Sequence, residues 1–152
     1  MRALGLDVGE KTVGVAVSDA LGLTAQALTT LRRAGLRADL AALRQLAETR
    51  GITCAVVGLP LNMDGSEGAS ATRARAFGAA LGIALGVPVD YWDERLTTVA
   101  AQRALREGDV PARKQRAVVD QVAAALILQG WLDARERGAR DFLPGSAPEE
   151  EG

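Results

Sequence analysis

Two short apolar segments joined by a glycine-containing turn open the chain and constrain its fold more than any other feature. Residues 3–8 read ALGLDV and residues 13–17 read VGVAV, with the turn GEKT between them. Short runs of small and β-branched residues on either side of a turn are typical of a β-hairpin. Such a start requires further strands or helices to cover the hairpin's apolar faces.

The remaining periodic segments predict an α/β domain with the element order β-β-β-α-β-α-β-α-α. They are a strand within 26–32, a helix at 36–50, a strand at 54–58, a helix at 70–85, a strand at 87–92, a helix from Thr97 or Thr98 to Glu107, a polar loop at 109–116 and a helix at 118–137. This order predicts a mixed five-stranded sheet, with antiparallel β1-β2-β3 followed by parallel β4 and β5, and helices on both faces. We expect one domain over 1–138 and a polar, mobile tail over 139–152.

The composition excludes several kinds of site. The 152 residues include no histidine and one cysteine, Cys54, which excludes Ser-His-Asp catalysis, histidine zinc sites and a disulfide framework. Metal chemistry would therefore need oxygen ligands, which suit Mg²⁺ or Mn²⁺. No apolar run approaches the roughly 20 residues that span a bilayer, and Asp7 and Glu10 come too early for a secretory signal, so we expect a cytoplasmic protein without membrane contact.

The net charge of −1 hides a basic bias. The last acidic residues are three consecutive glutamates at 149–151, and residues 1–148 carry 18 basic and 16 acidic side chains. All but two of the basic residues are arginines, whose guanidinium binds phosphate oxygens in a bidentate manner. A GC-rich genome also favours arginine codons, so composition alone leaves nucleic-acid binding open.

Carboxylates from three separate elements need explaining. Strand periodicity places Asp7 on the same face as Ala3 and Gly5, where small residues leave room for a ligand. Asp93 and Glu94 follow the fifth strand, and Asp120 lies in the first turn of a predominantly apolar helix, which we expect to be buried on all sides. Each acid alone has a simpler explanation, as a turn residue or a helix N-terminal charge. Together they predict a metal-binding carboxylate cluster, with the choice between Asp93 and Glu94 left open.

Four motifs in order carry a family resemblance: DVGEKTVGVAVSD, GLPLNMDGSEG, DERLTT and VDQVAAALILQGWL. Over about residues 3–143 the chain resembles the YqgF/RuvX family of RNase H-like proteins, described as Holliday junction resolvases or nucleases of precursor ribosomal RNA. The resemblance implies an RNase H-like fold and an acidic triad of Asp7, Glu94 and Asp120. Two Mg²⁺ or Mn²⁺ ions would lie between these carboxylates, with Asp7 as the bridging ligand. Thr12 is a small departure from the family, in which many members have a second basic residue after the lysine that matches Lys11.

The family resemblance implies a metal-dependent nuclease that processes the 5′ end of precursor 16S ribosomal RNA, with ribosomal precursor particles as partners. One alternative is a Holliday junction resolvase, which would act on DNA as a homodimer. Another is a non-catalytic protein that binds RNA or the ribosome. An ATP-binding module is a third, since the actin-like ATPase fold opens with a similar hairpin, but that fold needs two lobes and the chain has no G-x-x-x-x-G-K-[ST] loop.

Substrate contacts are predicted from basic residues and from the glycine-rich loop at 59–69. The amides of Gly65 and Gly68 precede a helix, where the helix dipole favours phosphate, although a plain flexible connection fits the same residues. The candidate substrate-binding residues are Lys11, Asn62, Ser66, Arg73, Arg95, Arg113, Lys114 and Arg116. The last three would follow a nucleic-acid backbone or form an ordinary solvated basic run.

Overall fold

The computed structural model describes residues 1–97 and 113–138, with side chains from 119 onward in the second segment. Its elements are β1 (Ala3–Val8), β2 (Thr12–Ser18), β3 (Ala25–Arg32), α1 (Leu36–Arg50), β4 (Cys54–Leu59), α2 (Ala69–Leu85), β5 (Val89–Asp93), a 3₁₀ turn (Glu94–Leu96) and α3 (Arg113–Glu136). The predicted helix ending at Glu107 and the predicted tail at 139–152 lie outside the described residues.

The strands form one mixed sheet in the order β3-β2-β1-β4-β5. β1 pairs with β2, and β2 with β3, in antiparallel orientation. β4 pairs with β1, and β5 with β4, in parallel orientation. The predicted five-stranded topology is confirmed, and it places β1 at the centre of the sheet.

The predicted start of the last helix is wrong. α3 begins at Arg113, so residues 113–116 belong to the helix rather than to the predicted polar loop. Arginine, lysine and glutamine have high helix propensity, but this stretch has no apolar stripe, and apolar periodicity therefore misses it. β5 begins at Val89 rather than residue 87, because Pro88 has no amide to donate to the sheet.

Period-two alternation in β1 separates two cores. Leu4 and Leu6 pack with side chains of α1 and α2 on one face, and Ala3 packs with α3 on the other, so helices cover both faces. On the α3 face, Gly5 lets the helix approach closely, since a Cβ there would lie 2.7 Å from the Cβ of Leu128.

The expectation that α3 is buried all round is wrong for the residues that the structure describes. Ala123, Ala124, Ile127 and Leu128 are buried against the sheet. Val122, Ala125 and Leu126, on the helix's other sides, are half-buried. The helix therefore has one face toward the sheet, despite its continuous apolar sequence.

α1 and α2 end as the sequence predicts, at glycines in the left-handed conformation. Gly51 and Gly86 both have φ of 67°, which residues with a Cβ rarely adopt, and their amides donate to carbonyls of the last helical turn. Among the described helices, none combines the length and apolar character that crossing a membrane requires.

Candidate active site

Asp7 lies near the carboxyl end of the central strand, on the face opposite to Leu4 and Leu6, as its periodicity predicts. α3 covers this face. Its residue exposure is only 8 %. It pairs with Gly14 of β2 across the hairpin. On its other side, Leu6 pairs with Val57 of β4, so the next residues along these parallel strands, Asp7 and Gly58, are neighbours. Asp7 therefore lies between two glycines.

Gly58 makes room for Glu94. Glu94 is the first residue of the 3₁₀ turn after β5 and is 4 % exposed. A Cβ on Gly58 would lie 2.5 Å from Oε2 of Glu94 and would also overlap Ile127 of α3. The Glu94 carboxylate thus lies over Gly58 of β4, which is the neighbour of Asp7 in the sheet.

Gly14 makes room for Asp120 in the same way. A Cβ on Gly14 would overlap the carbonyl group of Asp120, which brings the backbone of α3 against β2 at this point. The Asp120 side chain accepts a hydrogen bond from Thr12 Oγ1, with 2.6 Å between Oγ1 and Oδ2. Asp120 therefore approaches Asp7 from the side opposite to Glu94.

The three predicted acids are brought to one edge of the sheet from β1, the turn after β5, and α3. Among the described side chains of residues 1–97 and 119–138, however, no three histidine, cysteine or acidic residues are grouped closely enough to hold a metal ion together. The donor chemistry fits a hard divalent cation, because all three side chains supply carboxylate oxygens and two of them are buried. The triad remains a prediction, supported by its placement.

Asp93 and Glu94, which periodicity could not separate, have different surroundings. Asp93 accepts a hydrogen bond from the Arg95 amide at 2.9 Å, which caps the 3₁₀ turn. It also pairs with the Arg95 guanidinium, with 2.8 Å between Nη2 and Oδ2, and these hydrogen bonds hold the pKa of Asp93 below its usual value. Asp93 thus stabilises the 3₁₀ turn, while the Glu94 side chain is buried in the protein.

A further buried acid, Asp39, was not found from the sequence. It is 3 % exposed and lies in the first turn of α1, on the side of the sheet away from α3. Its carboxylate accepts from Arg33 Nε at 2.7 Å and from the Ala34 amide at 2.9 Å. Arg33 also donates to the Gly9 carbonyl at 2.9 Å, so this pair fixes the turn that follows Asp7.

Two of the predicted substrate-binding arginines have carboxylate partners within the chain. Arg73 of α2 pairs with Glu10, with 3.2 Å between Nη2 and Oε2. The ion pair with Asp93 raises the pKa of Arg95. Arg95 also donates to the Met63 carbonyl at 3.2 Å, which ties the 3₁₀ turn to the loop after β4. Lys11 lies exposed in the turn after β1.

The first turns of α3 contain the backbone of the predicted basic group, Arg113, Lys114 and Arg116. This group is therefore on the same helix as Asp120. Its side chains lie outside the described part of the chain.

The loop between β4 and α2 is held by its own hydrogen bonds. The Asn62 side chain donates to Ser66 Oγ at 2.9 Å, and that hydroxyl donates to Asp64 at 2.6 Å. Bonds from the Ser66 hydroxyl and amide keep the pKa of Asp64 below its usual value. The Gly65 amide donates to the Asn62 carbonyl at 2.8 Å, so the expectation that it is available to phosphate is wrong. Gly68 is the N-cap residue of α2, as predicted for the start of that helix.

The fold defines the class of protein. The solved structure of RuvC from Thermus thermophilus matches 90 % of this chain and 97 % of that one with a TM-score of 0.54, at 17 % sequence identity. Together with the observed strand order, this makes the domain an RNase H-like α/β fold, as the sequence motifs imply.

The family follows from the sequence comparisons. Residues 1–134 match the model of the RuvX family, described as Holliday junction resolvase, and the chain belongs to that family. A relative from Myxococcus xanthus is 58 % identical over 144 residues, which cover 95 % of each chain, and its name is "Putative pre-16S rRNA nuclease". A relative from Moorella thermoacetica with the same name is 59 % identical over 133 residues, covering 88 % of this chain and 95 % of the relative.

Proposed function

We propose that this protein is a metal-dependent nuclease that hydrolyses phosphodiester bonds of nucleic acid and matures the 5′ end of precursor 16S ribosomal RNA. The observation that carries the proposal is the position of Asp7, a buried acid between two glycines that make room for Glu94 and Asp120. The names of the relatives support the choice of ribosomal RNA as substrate.

Asp7, Glu94 and Asp120 are the residues that would hold Mg²⁺ or Mn²⁺. Bound divalent ions supply two functions in such sites, activation of a water for in-line attack on phosphorus and neutralisation of charge on the leaving oxygen. Asp7 would be the central ligand, because it lies between the two glycines that make room for the other two acids. No histidine is present to act as a general base, and activation of the water by a bound metal ion would require no side-chain base.

The cationic residues at this edge can contact the phosphate backbone. Lys11 is exposed in the turn directly after Asp7's strand. The ion pairs of Arg73 and Arg95 are partly solvent-exposed, and exposed pairs contribute only about 0–1 kcal/mol. A substrate phosphate can therefore compete with Glu10 and Asp93 for these guanidinium groups at small cost.

A second candidate function is resolution of Holliday junctions, which the description of the RuvX family favours. A resolvase must cut two opposed strands, so this function would require a homodimer with two active sites. A non-catalytic RNA-binding or ribosome-binding role is the remaining alternative. As a nuclease of precursor ribosomal RNA, the protein would bind ribosomal precursor particles. As a resolvase, it would bind four-way DNA junctions.

Cleavage assays with the purified wild-type chain test the proposal. Substrates are a 5′-extended 16S ribosomal RNA fragment, the mature RNA end and a four-way DNA junction, each with Mn²⁺, Mg²⁺ or EDTA. We expect metal-dependent cleavage of the extended RNA. Cleavage of the junction alone would establish the resolvase function, and binding without cleavage under every condition would establish the non-catalytic one.

The two adjacent acids after β5 give a sharper test of the site. We expect Glu94→Gln to lower cleavage at least about a hundredfold, because losing about 2.7 kcal/mol of transition-state stabilisation has that effect. Asp93→Asn should lower it less than about threefold, since the amide oxygen still accepts from the Arg95 backbone. Single-turnover rates at saturating Mn²⁺ measure both. The reverse ranking would transfer the ligand role to Asp93.

A further inference from the structure

Thr12 makes a long-range side-chain contact with a predicted metal ligand. Its Oγ1 donates to Asp120 Oδ2 at 2.6 Å, between residues 108 positions apart in the chain. A separation of 2.5–2.7 Å is typical of a hydroxyl bound to an ionised carboxylate, and such bonds are roughly twice as strong as neutral ones. The contact joins β2 to α3 directly beside the position of Asp7.

The backbone of Thr12 is held by contacts other than this bond. Its carbonyl accepts from the Gly9 amide at 2.9 Å, and it pairs with Arg32 at the end of β3. The backbone of Asp120 is fixed by the close approach of its carbonyl to Gly14. With both backbones held, the hydrogen bond acts chiefly on the side-chain torsions of Asp120.

The chemistry of the hydroxyl suits this role. A threonine hydroxyl donates one hydrogen to one oxygen of Asp120, leaves the other oxygen available and adds no charge. Outer hydrogen bonds of this kind orient ligating carboxylates, and their loss typically lowers metal affinity 10–100-fold.

We propose that Thr12 is a positioning residue that orients the Asp120 carboxylate for binding a divalent cation. The proposal rests on the proposed function, because it takes Asp120 to be a metal ligand. The competing explanation is that the hydrogen bond only fastens α3 to the sheet. The two differ in what they predict for cation affinity and for the stability of the metal-free protein.

Mn²⁺ titration of the full chain separates the two explanations. Thr12→Val keeps the side-chain shape and removes the hydroxyl, and we expect its Mn²⁺ dissociation constant to rise about tenfold or more. Thr12→Ser keeps the hydroxyl and should stay within about threefold of wild type. Calorimetric titration measures affinity, and thermal unfolding without metal measures stability.

Each outcome decides the question. Wild-type Mn²⁺ affinity in Thr12→Val, with a lowered metal-free melting temperature, would overturn the positioning role and leave a structural bond. Equal weakening in Thr12→Ser and Thr12→Val would also overturn it, because the hydroxyl would then not matter. If wild-type protein binds no Mn²⁺, the proposed function fails together with this inference, whereas wild-type binding with an unaffected Thr12→Val removes this inference alone.

Discussion

Asp7→Asn should abolish metal-dependent cleavage and leave the protein folded. Asparagine has nearly the same shape, so the packing between Gly14 and Gly58 is retained, while the charge that would attract a cation is lost. Divalent ions contribute several kcal/mol to transition-state stabilisation, and 4 kcal/mol corresponds to about a thousandfold in rate. We therefore expect a loss of at least about a thousandfold, measured as single-turnover cleavage of the extended RNA with Mn²⁺.

Asp19→Asn is the matched control for this loss. Asp19 follows β2 at the opposite edge of the sheet, where its carboxylate accepts from the Leu23 and Thr24 amides, and an asparagine oxygen can accept the same bonds. This variant should cleave like wild type. Thermal unfolding of the metal-free protein checks that Asp7→Asn is folded under the conditions of the cleavage assay. Near-normal turnover by Asp7→Asn would mean that Asp7 is a structural residue.

The sequence predicts the placement of Asp7 well because β-strand periodicity is a local property. Alternation in β1 is sufficient to assign Leu4 and Leu6 to one face of the sheet and Asp7 to the other, and the structure bears this out. The parallel pairing of β4 and β5 follows similarly from the alternation of strands and helices. Features with a fixed repeat are therefore visible in the sequence.

The orientation of Glu94 is not visible in this way. The chain leaves β5 at Asp93 and enters a 3₁₀ turn, so the period of two no longer applies to the next residue. What separates the two acids is tertiary: the space above Gly58 admits Glu94, and Arg95 engages Asp93. From the sequence, only the family resemblance favours Glu94.

The loop after β4 shows that composition does not predict which polar groups of a loop are free to bind a ligand. Glycine-rich composition before a helix suggests free amides for phosphate, but Asn62, Asp64 and Ser66 instead bind one another. Short polar side chains readily make such local bonds, and which groups remain free depends on the backbone conformation. The glycines at 14 and 58 could have indicated the site from the sequence, because glycine inside a strand often marks close approach of another backbone or a ligand.

Gly14→Ala should destabilise the protein more than an ordinary glycine substitution. The added Cβ would overlap backbone atoms of Asp120, which cannot rotate away as a side chain can, so α3 must shift from β2. Overpacking a well-filled interior costs about 1–3 kcal/mol, and occasionally more, and contact with backbone places this case at the upper end. Urea unfolding of the metal-free protein measures the change in the free energy of unfolding.

Two other glycines separate general overpacking from damage to the candidate site. Gly82→Ala should be nearly neutral, because the nearest atom to the new Cβ is a Val89 methyl carbon at 3.2 Å and alanine favours the helix. Gly5→Ala presses on the same helix at Leu128 and should also lower stability, but one turn or more away from Asp120.

Under conditions where all three variants remain folded, Gly14→Ala should lose Mn²⁺ affinity more strongly than Gly5→Ala. Equal Mn²⁺ affinities in these two variants would show that the position of Asp120 against β2 does not control cation binding, and Asp120 would then lose its place among the predicted ligands.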